Sequence, residues 1–281
     1  MSPTAAVLSA AWQQAKVVLI RKYTSFAGVG SLVLAAVILG VLWFIRDADF
    51  GEEAINAGVY VFTGFLAFGI IAAAVMGVAG ELQTEREDGT LLRAKAVPHG
   101  MTGHLIAKLI VTPFEAVLPI LPVVVGATLL LPGVMPTSVG PWLLLVVVFL
   151  LAVAAMMPWG AILGSIFRTM LGLAWAMIAL YAVAFISGLF FPVVALPTWL
   201  QWMAQATPIY WIGSALRMIL LPEAGELEFG GEYRVGLTLI VLLGWAIVGM
   251  ALAPVLLRRM ARRQSGSQVA AARDRLLSRG Y

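Results

Sequence analysis

Six long apolar segments run through this sequence, and each is long enough to cross a lipid bilayer as a helix. The hydrocarbon core of a bilayer is about 30 Å thick, which requires about 20 apolar residues in an α-helix. The segments are apolar throughout and do not alternate with polar residues, so helices are favoured over the strands of a membrane barrel. They cover residues 25–45, 56–79, 105–131, 141–166, 169–190 and 234–257. The sequence therefore predicts an all-α integral membrane protein with six transmembrane helices, in a single transmembrane domain over residues 25–257.

The composition agrees with a membrane protein. Hydrophobic residues make up 62% of the 281-residue chain and charged residues 11%, whereas soluble domains carry about 25% charged residues. The chain has no cysteine, which excludes disulfides, thiolate metal sites and thiol nucleophiles. His99 and His104 have no carboxylate at ligand spacing, so we interpret them as solvated loop residues and predict no metal site.

The distribution of charge predicts the orientation of the helices. Most of the 18 lysines and arginines lie before the first apolar segment, between the second and the third, or after the sixth. Acidic residues outnumber basic ones after the first and fifth segments. By the positive-inside rule, both termini and residues 80–104 are cytoplasmic, and we expect a multi-pass protein of the plasma membrane. The basic cytoplasmic tail, 258–281, opens with "RRMARR", which we expect to contact anionic lipid and not nucleic acid.

Residues 1–24 form a cytoplasmic N-terminus in which we predict an interfacial helix. Over residues 6–22, Val7, Leu8 and Trp12 share one helical face. This pattern is typical of an amphipathic helix that lies in the plane of the membrane interface. The alternative is an early extension of the first transmembrane helix.

Prolines interrupt the apolar residues between the fifth and sixth segments. The pieces that they leave within residues 187–226 are too short to cross a bilayer. The prolines are Pro192, Pro197, Pro208 and Pro222. Aromatic residues typical of the headgroup level also occur here: Trp199, Trp202, Tyr210 and Trp211. We predict an extracellular re-entrant helical hairpin over residues 191–222, before the last transmembrane helix.

The stretch "GELQTEREDGTLLRAKAVPHG", residues 80–100, is a polar island between two apolar segments. Glu81, Glu85 and Asp88 would share one face of a short helix, which Gly89 could end in a left-handed cap. The island is either a docking element for a soluble partner or a solvated loop. The residues alone do not decide between these two interpretations.

Glu115 is the only acidic residue within a predicted transmembrane helix. A charge at the centre of such a helix costs about 2.5–3.5 kcal/mol, so Glu115 is a candidate for lining a substrate path or pairing with another helix. Equally, it could reach the inner interface or be protonated. Pro113, Pro119 and Pro122 predict a kink around it, and "GAILGS" at residues 160–165 predicts close helix packing.

Two motifs resemble the membrane subunit of type-2 ABC exporters, the group that includes drug and antibiotic-resistance export permeases. The first is "TEREDGTLLRAKAVP" at 84–98, with a later lysine at Lys108. The second is "SGLFFPVVALPTWLQWMAQATPIYWIGSALR" at 187–217. It is similar to the family's Ser-Gly, Phe-Pro and Leu-Pro pairs, followed by a later proline, a tyrosine and a closing arginine. The residues that carry this likeness are Pro192, Pro197, Pro208, Tyr210 and Arg217.

The resemblance implies a permease subunit that moves a hydrophobic or amphiphilic substrate, such as a drug, an antibiotic or a lipid-like molecule, out of the cell. It implies two copies of a separate ATP-binding subunit, which hold ATP and Mg, and a second permease chain that is identical or related. It also implies that the island contains the coupling helix. The coupling residues are Glu81, Glu85, Arg86, Glu87, Asp88, Gly89 and Thr90.

The resemblance gives Arg217 a role as a gate at the outer exit. The alternative is a surface ion pair with Glu223, Glu226 or Glu228. The chain contains no Gly-x-x-x-x-Gly-Lys-Ser/Thr string, so we expect no ATPase activity, no other enzymatic activity and no cofactor on the chain itself.

Two other functions compete with the exporter. A proton-coupled secondary transporter would need inverted repeats with broken helices in matching positions, and the sequence has no clear repeat. An intramembrane enzyme would need at least two catalytic groups at membrane depth. The sequence shows no evident second catalytic group to act with Glu115.

Overall fold

A computed structural model describes residues 26–50, 55–87, 100–167 and 169–263. The described chain is mostly helical, and we number its α-helices α1 to α8 in chain order. They are α1 (Phe26–Ile45), α2 (Ala57–Glu87), α3 (Gly100–Leu130), α4 (Val139–Ile166), α5 (Met170–Ile186), α6 (Thr198–Ala206), α7 (Pro208–Leu220) and α8 (Val235–Arg263). Two short 3₁₀ helices cover Val193–Ala195 and Pro222–Leu227.

The prediction of a purely helical fold misses a small strand pair between α1 and α2. Strands β1 (Asp49–Phe50) and β2 (Ile55–Asn56) pair antiparallel, with Asp49 opposite Asn56. The side chain of Asn56 donates to the Arg46 carbonyl at 2.8 Å and accepts from the Val59 N–H at 2.9 Å. These bonds hold the reversal together and satisfy a free N–H in the first turn of α2, as an N-terminal cap does.

Three of the described helices are long and apolar enough to cross a membrane: Ala57–Thr84, Val139–Ile166 and Val235–Leu256. Shorter apolar helices cover Val29–Ile45, Glu115–Leu130 and Leu171–Ile186. Large apolar side chains point outward from them, among them Phe44 at 88% exposure and Leu129 at 81%. So much exposed apolar surface is unfavourable in water and is what a lipid-facing surface requires.

α2 lies at the centre of the fold, where it packs against α1, α3, α4 and α7. α4 packs in addition against α8. The largest cluster of buried residues forms between α2, α4, α7 and α8, and includes Ile70, Met157, Ile212 and Leu242. α5 is peripheral by comparison and exposes Leu171, Trp175 and Phe185.

The predicted helix bounds need correction at several ends. α5 ends at Ile186 and not at residue 190, because the chain turns at Gly188, whose φ of 69° suits a residue without a side chain. α8 continues through Arg263, so the first residues of the predicted basic tail extend the last helix. The predicted interfacial helix over 6–22 lies outside the described residues.

Candidate functional site

The segment between α5 and α8, residues 187–234, contains only short helices, and its prolines lie at their boundaries. Pro192 precedes the first 3₁₀ helix, Pro197 precedes α6, and Pro208 is the first residue of α7. α6 has nine residues and α7 has 13. The predicted division into pieces too short to span a bilayer is therefore confirmed. We call residues 187–234 the short-helix segment.

The four aromatic residues that the sequence groups at one level fall into two environments. Trp199 and Trp202 of α6 are 63% and 62% exposed. Tyr210 and Trp211 of α7 are buried. The indole N–H of Trp211 donates to the Gln205 carbonyl at 2.8 Å, which satisfies the polar atom that burial would otherwise leave unpaired.

Arg217 and Glu228 form an ion pair inside the short-helix segment. Nε of Arg217 donates to Oε1 of Glu228 at 2.5 Å, and neither side chain has any exposed surface. The expected surface ion pair is therefore a buried one. Glu223 and Glu226 are exposed. Burial selects Glu228 as the partner because a charge in the interior requires a close counter-charge.

Tyr60 connects this ion pair to α2. Its ring lies against the guanidinium of Arg217, with 4.5 Å between Cζ and the ring centroid, which is a favourable cation–π distance. Its hydroxyl donates to the carbonyls of Gly188 and Phe191, at 3.2 and 3.3 Å. One side chain of α2 therefore contacts both the beginning of the short-helix segment and its buried cation.

The surroundings of the pair keep Arg217 charged. Burial alone would lower the pKa of Arg217, but the adjacent Glu228 carboxylate outweighs it and holds that pKa above the usual value. Burial raises the pKa of Tyr233, whose hydroxyl donates to the Leu221 carbonyl at 2.8 Å. Burial likewise raises the pKa of Tyr210, whose hydroxyl accepts the Phe229 N–H at 3.2 Å. Both tyrosines therefore remain neutral around the ion pair at physiological pH.

The pair is incompletely hydrogen-bonded. Nη1 and Nη2 of Arg217 and Oε2 of Glu228 are buried, and no partner is found for them among the described residues. Buried polar atoms are usually satisfied, so such atoms indicate stored strain, a bound water or a functional role.

Close backbone approach fixes α2 against the short-helix segment. A Cβ on Gly64 would lie 2.0 Å from the Leu189 carbonyl oxygen, so only glycine allows this approach. A Cβ on Gly213 of α7 would lie 2.5 Å from the Leu189 side chain and 3.1 Å from Nη1 of Arg217. The two glycines thus place Leu189 between α2 and α7.

The opposite end of α2 is fixed to α4. The side-chain amide of Gln83, which is 4% exposed, donates to the Phe167 carbonyl at 2.7 Å, just after α4 ends. Gly160 and Gly164 of α4 face α2, where a Cβ would lie 2.5 Å from the Val75 carbonyl oxygen and 3.0 Å from Cα of Ala79. These are the glycines of "GAILGS", and the predicted close packing is confirmed.

The candidate coupling residues lie at the end of α2 and beyond it. Glu81 is half-buried on α2, and residues 85–87 form its last residues. The prediction of a separate short helix is wrong for Glu81 through Glu87, because α2 continues without interruption to Glu87. Asp88, Gly89 and Thr90 lie outside the described residues.

Glu115 is half-buried on α3, and it shares that helix with Pro113, Pro119 and Pro122. In the described part of the chain, no three His, Cys, Asp or Glu side chains are placed to hold a metal ion.

Comparison with known families decides the class of protein. The sequence model of the family described as ABC-2 type transporter matches residues 5–221. The chain belongs to the ABC-2 type transporter family. It is an ABC permease, a membrane component of a transporter, and ATPase activity in this family is normally carried by a separate subunit. No curated protein matches the chain.

The ABC-2 match covers Tyr60 and Arg217 but ends before Glu228. Sequence reasoning singled out Arg217 and named Glu228 among three candidate partners, but it missed Tyr60 and Gln83. The available signals are a tyrosine in the first turn of a predicted span and a glutamine just after that span, because such polar atoms need partners once they are buried.

Proposed function

We propose that this ABC permease is half of an ATP-driven exporter with six transmembrane helices and both termini in the cytoplasm. The observation that carries the proposal is the continuity of α2. This 31-residue helix, about 46 Å long at 1.5 Å per residue, runs from the charged residues at Glu81–Glu87 to the contacts of Tyr60 and Gly64 with the short-helix segment. A single rigid element thus joins the coupling residues to the opposite end of the molecule.

The proposed mechanism uses the two ends of α2, the coupling residues at one end and the contacts of Tyr60 and Gly64 at the other. ATP-driven closure of two ATP-binding subunits, which hold ATP and Mg, pushes the coupling residues at 81–90. α2 then moves together with α4, to which Gly160, Gly164 and Gln83 fix it. The movement shifts Tyr60 relative to Arg217 and Leu189 and opens the exit, in an alternation of rigid bodies. The proposed outer gate consists of Pro192, Pro197, Pro208, Tyr210 and Arg217.

The proposed substrate is hydrophobic or amphiphilic: a drug, an antibiotic or a lipid-like molecule. It enters between this chain and a second permease chain, identical or related, and leaves beneath the short-helix segments of the plasma-membrane complex. The likeness of residues 84–98 and 187–217 to drug and antibiotic-resistance export permeases supports this substrate class. Glu115 is the proposed polar contact along the path, since an acidic side chain within an apolar helix is costly unless it serves a purpose.

The docking part of the proposal is tested by reversing charge at the end of α2. The chain is co-expressed with a candidate ATP-binding subunit, and co-purification and ATPase activity are measured for Glu85→Lys plus Glu87→Lys. We expect co-purification and ATPase activity to fall to background, because reversing two charges in the docking surface replaces attraction to the ATP-binding subunit with repulsion. The matched control reverses two exposed acids elsewhere, Glu226→Lys plus Glu232→Lys, and should retain both properties. Full assembly and activity of the first variant would contradict the docking site.

A further inference from the structure

An apolar cavity lies between α2, α3, α4 and α7. Its volume is about 320 Å³ and its walls expose almost no polar atom. Leu66 and Ile70 of α2 and Leu216 and Leu220 of α7 form its inner wall. Leu216 precedes Arg217 in the chain, so the helix that carries the buried cation also forms part of this cavity.

The chemistry of the walls limits the occupant to hydrocarbon. A polar group moved into a site without hydrogen-bond partners loses several kcal/mol of hydration, so no polar headgroup or charged ligand fits inside. An apolar cavity of about 150 Å³ lined by Leu, Ile and Phe binds benzene. The cavity here is about twice that size and takes a longer apolar chain.

The mouth of the cavity opens on the lipid-facing surface. The lining residues Val117, Leu121, Trp142 and Val146 are 42–53% exposed. They continue the apolar surface of α3 and α4, to which Val125 and Leu143 also belong. In a membrane, acyl chains contact this surface wherever no second protein chain covers it.

One end of the cavity is suited to a polar headgroup. Met135, in the loop between α3 and α4, and Trp142 line that end. The indole N–H of Trp142 donates to the Pro136 carbonyl at 2.9 Å, which fixes the ring beside the loop. Tryptophan is enriched at the level of lipid headgroups, so a lipid whose chain fills the cavity would keep its headgroup at this loop.

We infer that this cavity binds one acyl chain of a membrane phospholipid. The bound chain fills the space between α3 and α4 and contacts α7 through Leu216 and Leu220. The inference does not depend on the proposed function, because it concerns a resident lipid and not the transported molecule.

The test is photo-crosslinking of the full chain in nanodiscs. The bilayer contains phosphatidylethanolamine with a diazirine in its acyl chain, and adducts are located by mass spectrometry. We expect adducts on residues 117–124 and 142–149. They should fall about tenfold in Val124→Trp and in Leu145→Phe, since excluding about two methylene groups from apolar contact is worth roughly that factor.

Each filling variant has a matched control on the same helix. Val125→Trp and Leu144→Phe place the same side chains on exposed neighbours that do not line the cavity, and their adducts should equal those of the wild type. Thermal unfolding of all four variants identifies any that fail to fold, and the two filling variants act on different helices. Adducts that are absent in the wild type, persist in the filling variants or fall equally in the controls would overturn the inference.

A second probe distinguishes lipid from cargo. A quaternary ammonium amphiphile with a diazirine in a dodecyl chain is added to the same nanodiscs. If phosphatidylethanolamine still labels the cavity when the amphiphile is present, the result supports a resident lipid. Labelling by the amphiphile alone would overturn it and assign the cavity to a transported molecule.

Discussion

At the scale of single residues, Arg217 and Glu228 form a buried ion pair within the short-helix segment. Two charges removed from water recover their lost hydration only through close pairing and further hydrogen bonds. Here the pairing is close, but Nη1, Nη2 and Oε2 have no partner among the described residues. Removal of one partner leaves an uncompensated charge in the interior, whereas we expect removal of both to be tolerated.

Replacing Arg217 alone should be strongly destabilising. We expect Arg217→Met to lower the free energy of unfolding by about 3–5 kcal/mol, the usual cost of a lone buried charge. Arg217→Met with Glu228→Leu should recover most of this loss. The measurement is thermal unfolding of the purified chain in detergent. The control is Arg46→Met, which breaks the exposed pair with Asp47 and should cost about 1 kcal/mol or less. Equal stability of Arg217→Met and Arg46→Met would contradict burial of the pair.

Tyr60 contributes through both its ring and its hydroxyl. Tyr60→Phe should cost about 1 kcal/mol, since it removes hydrogen bonds to Gly188 and Phe191 but keeps the ring under Arg217. Tyr60→Leu should cost about 2 kcal/mol more, the value of a desolvated cation–π contact. The same pair of substitutions at Tyr181, which is 39% exposed on α5, provides the control in the same unfolding measurement. Equal effects of Phe and Leu at Tyr60 would show that the ring contact contributes nothing.

At the scale of helices, α2 and α4 form one unit because their backbones lie in contact. Helices in a membrane have no hydrophobic driving force for association, so small residues that allow close approach contribute much of the binding. Gly160 and Gly164 supply that approach, and Gln83 adds a hydrogen bond where α4 ends.

Adding a single methyl group between α2 and α4 should weaken their packing. Gly160→Ala places a Cβ 2.5 Å from the Val75 carbonyl oxygen, and overpacking of this kind costs about 1–3 kcal/mol. The control is Gly244→Ala in α8, where no atom lies within 4 Å of the new Cβ. It should be stabilising by about 0.5–1 kcal/mol, because alanine favours helix over glycine. Circular dichroism on heating measures both. A Gly160→Ala variant as stable as Gly244→Ala would contradict the close packing of α2 and α4.

At the scale of the whole molecule, the sequence predicts the positions of the long helices because each of them contains a long apolar run, although α2 and α8 continue past their runs into charged residues. It also predicts the short pieces after α5, because the prolines there lie at helix boundaries, although Pro113, Pro119 and Pro122 lie inside α3. It could not identify Tyr60 as the contact of Arg217, or choose Glu228 over Glu223, because such contacts depend on which faces of the packed helices become buried. The strand pair at Asp49–Asn56 was missed because two-residue strands leave no periodic pattern.

The arrangement of the chain across the membrane is directly measurable. Because the chain has no cysteine, single cysteines can be introduced without first removing native ones. Cysteines at Asp88 and Ser267 should react only when a membrane-impermeant maleimide reaches the cytoplasmic side, and those at Thr137 and Glu226 only from outside. Labelling of Glu226→Cys from the cytoplasm would contradict the predicted orientation of the short-helix segment.

The most direct test of the exporter proposal is transport by purified components. The chain and a candidate ATP-binding subunit are reconstituted in liposomes, and the movement of a fluorescent amphiphile is followed after addition of ATP and Mg. We predict transport that requires both chains and ATP, and that fails in Glu85→Lys plus Glu87→Lys but not in Glu226→Lys plus Glu232→Lys. Transport by this chain alone, driven by a proton gradient and indifferent to ATP, would contradict the proposal and indicate a secondary transporter.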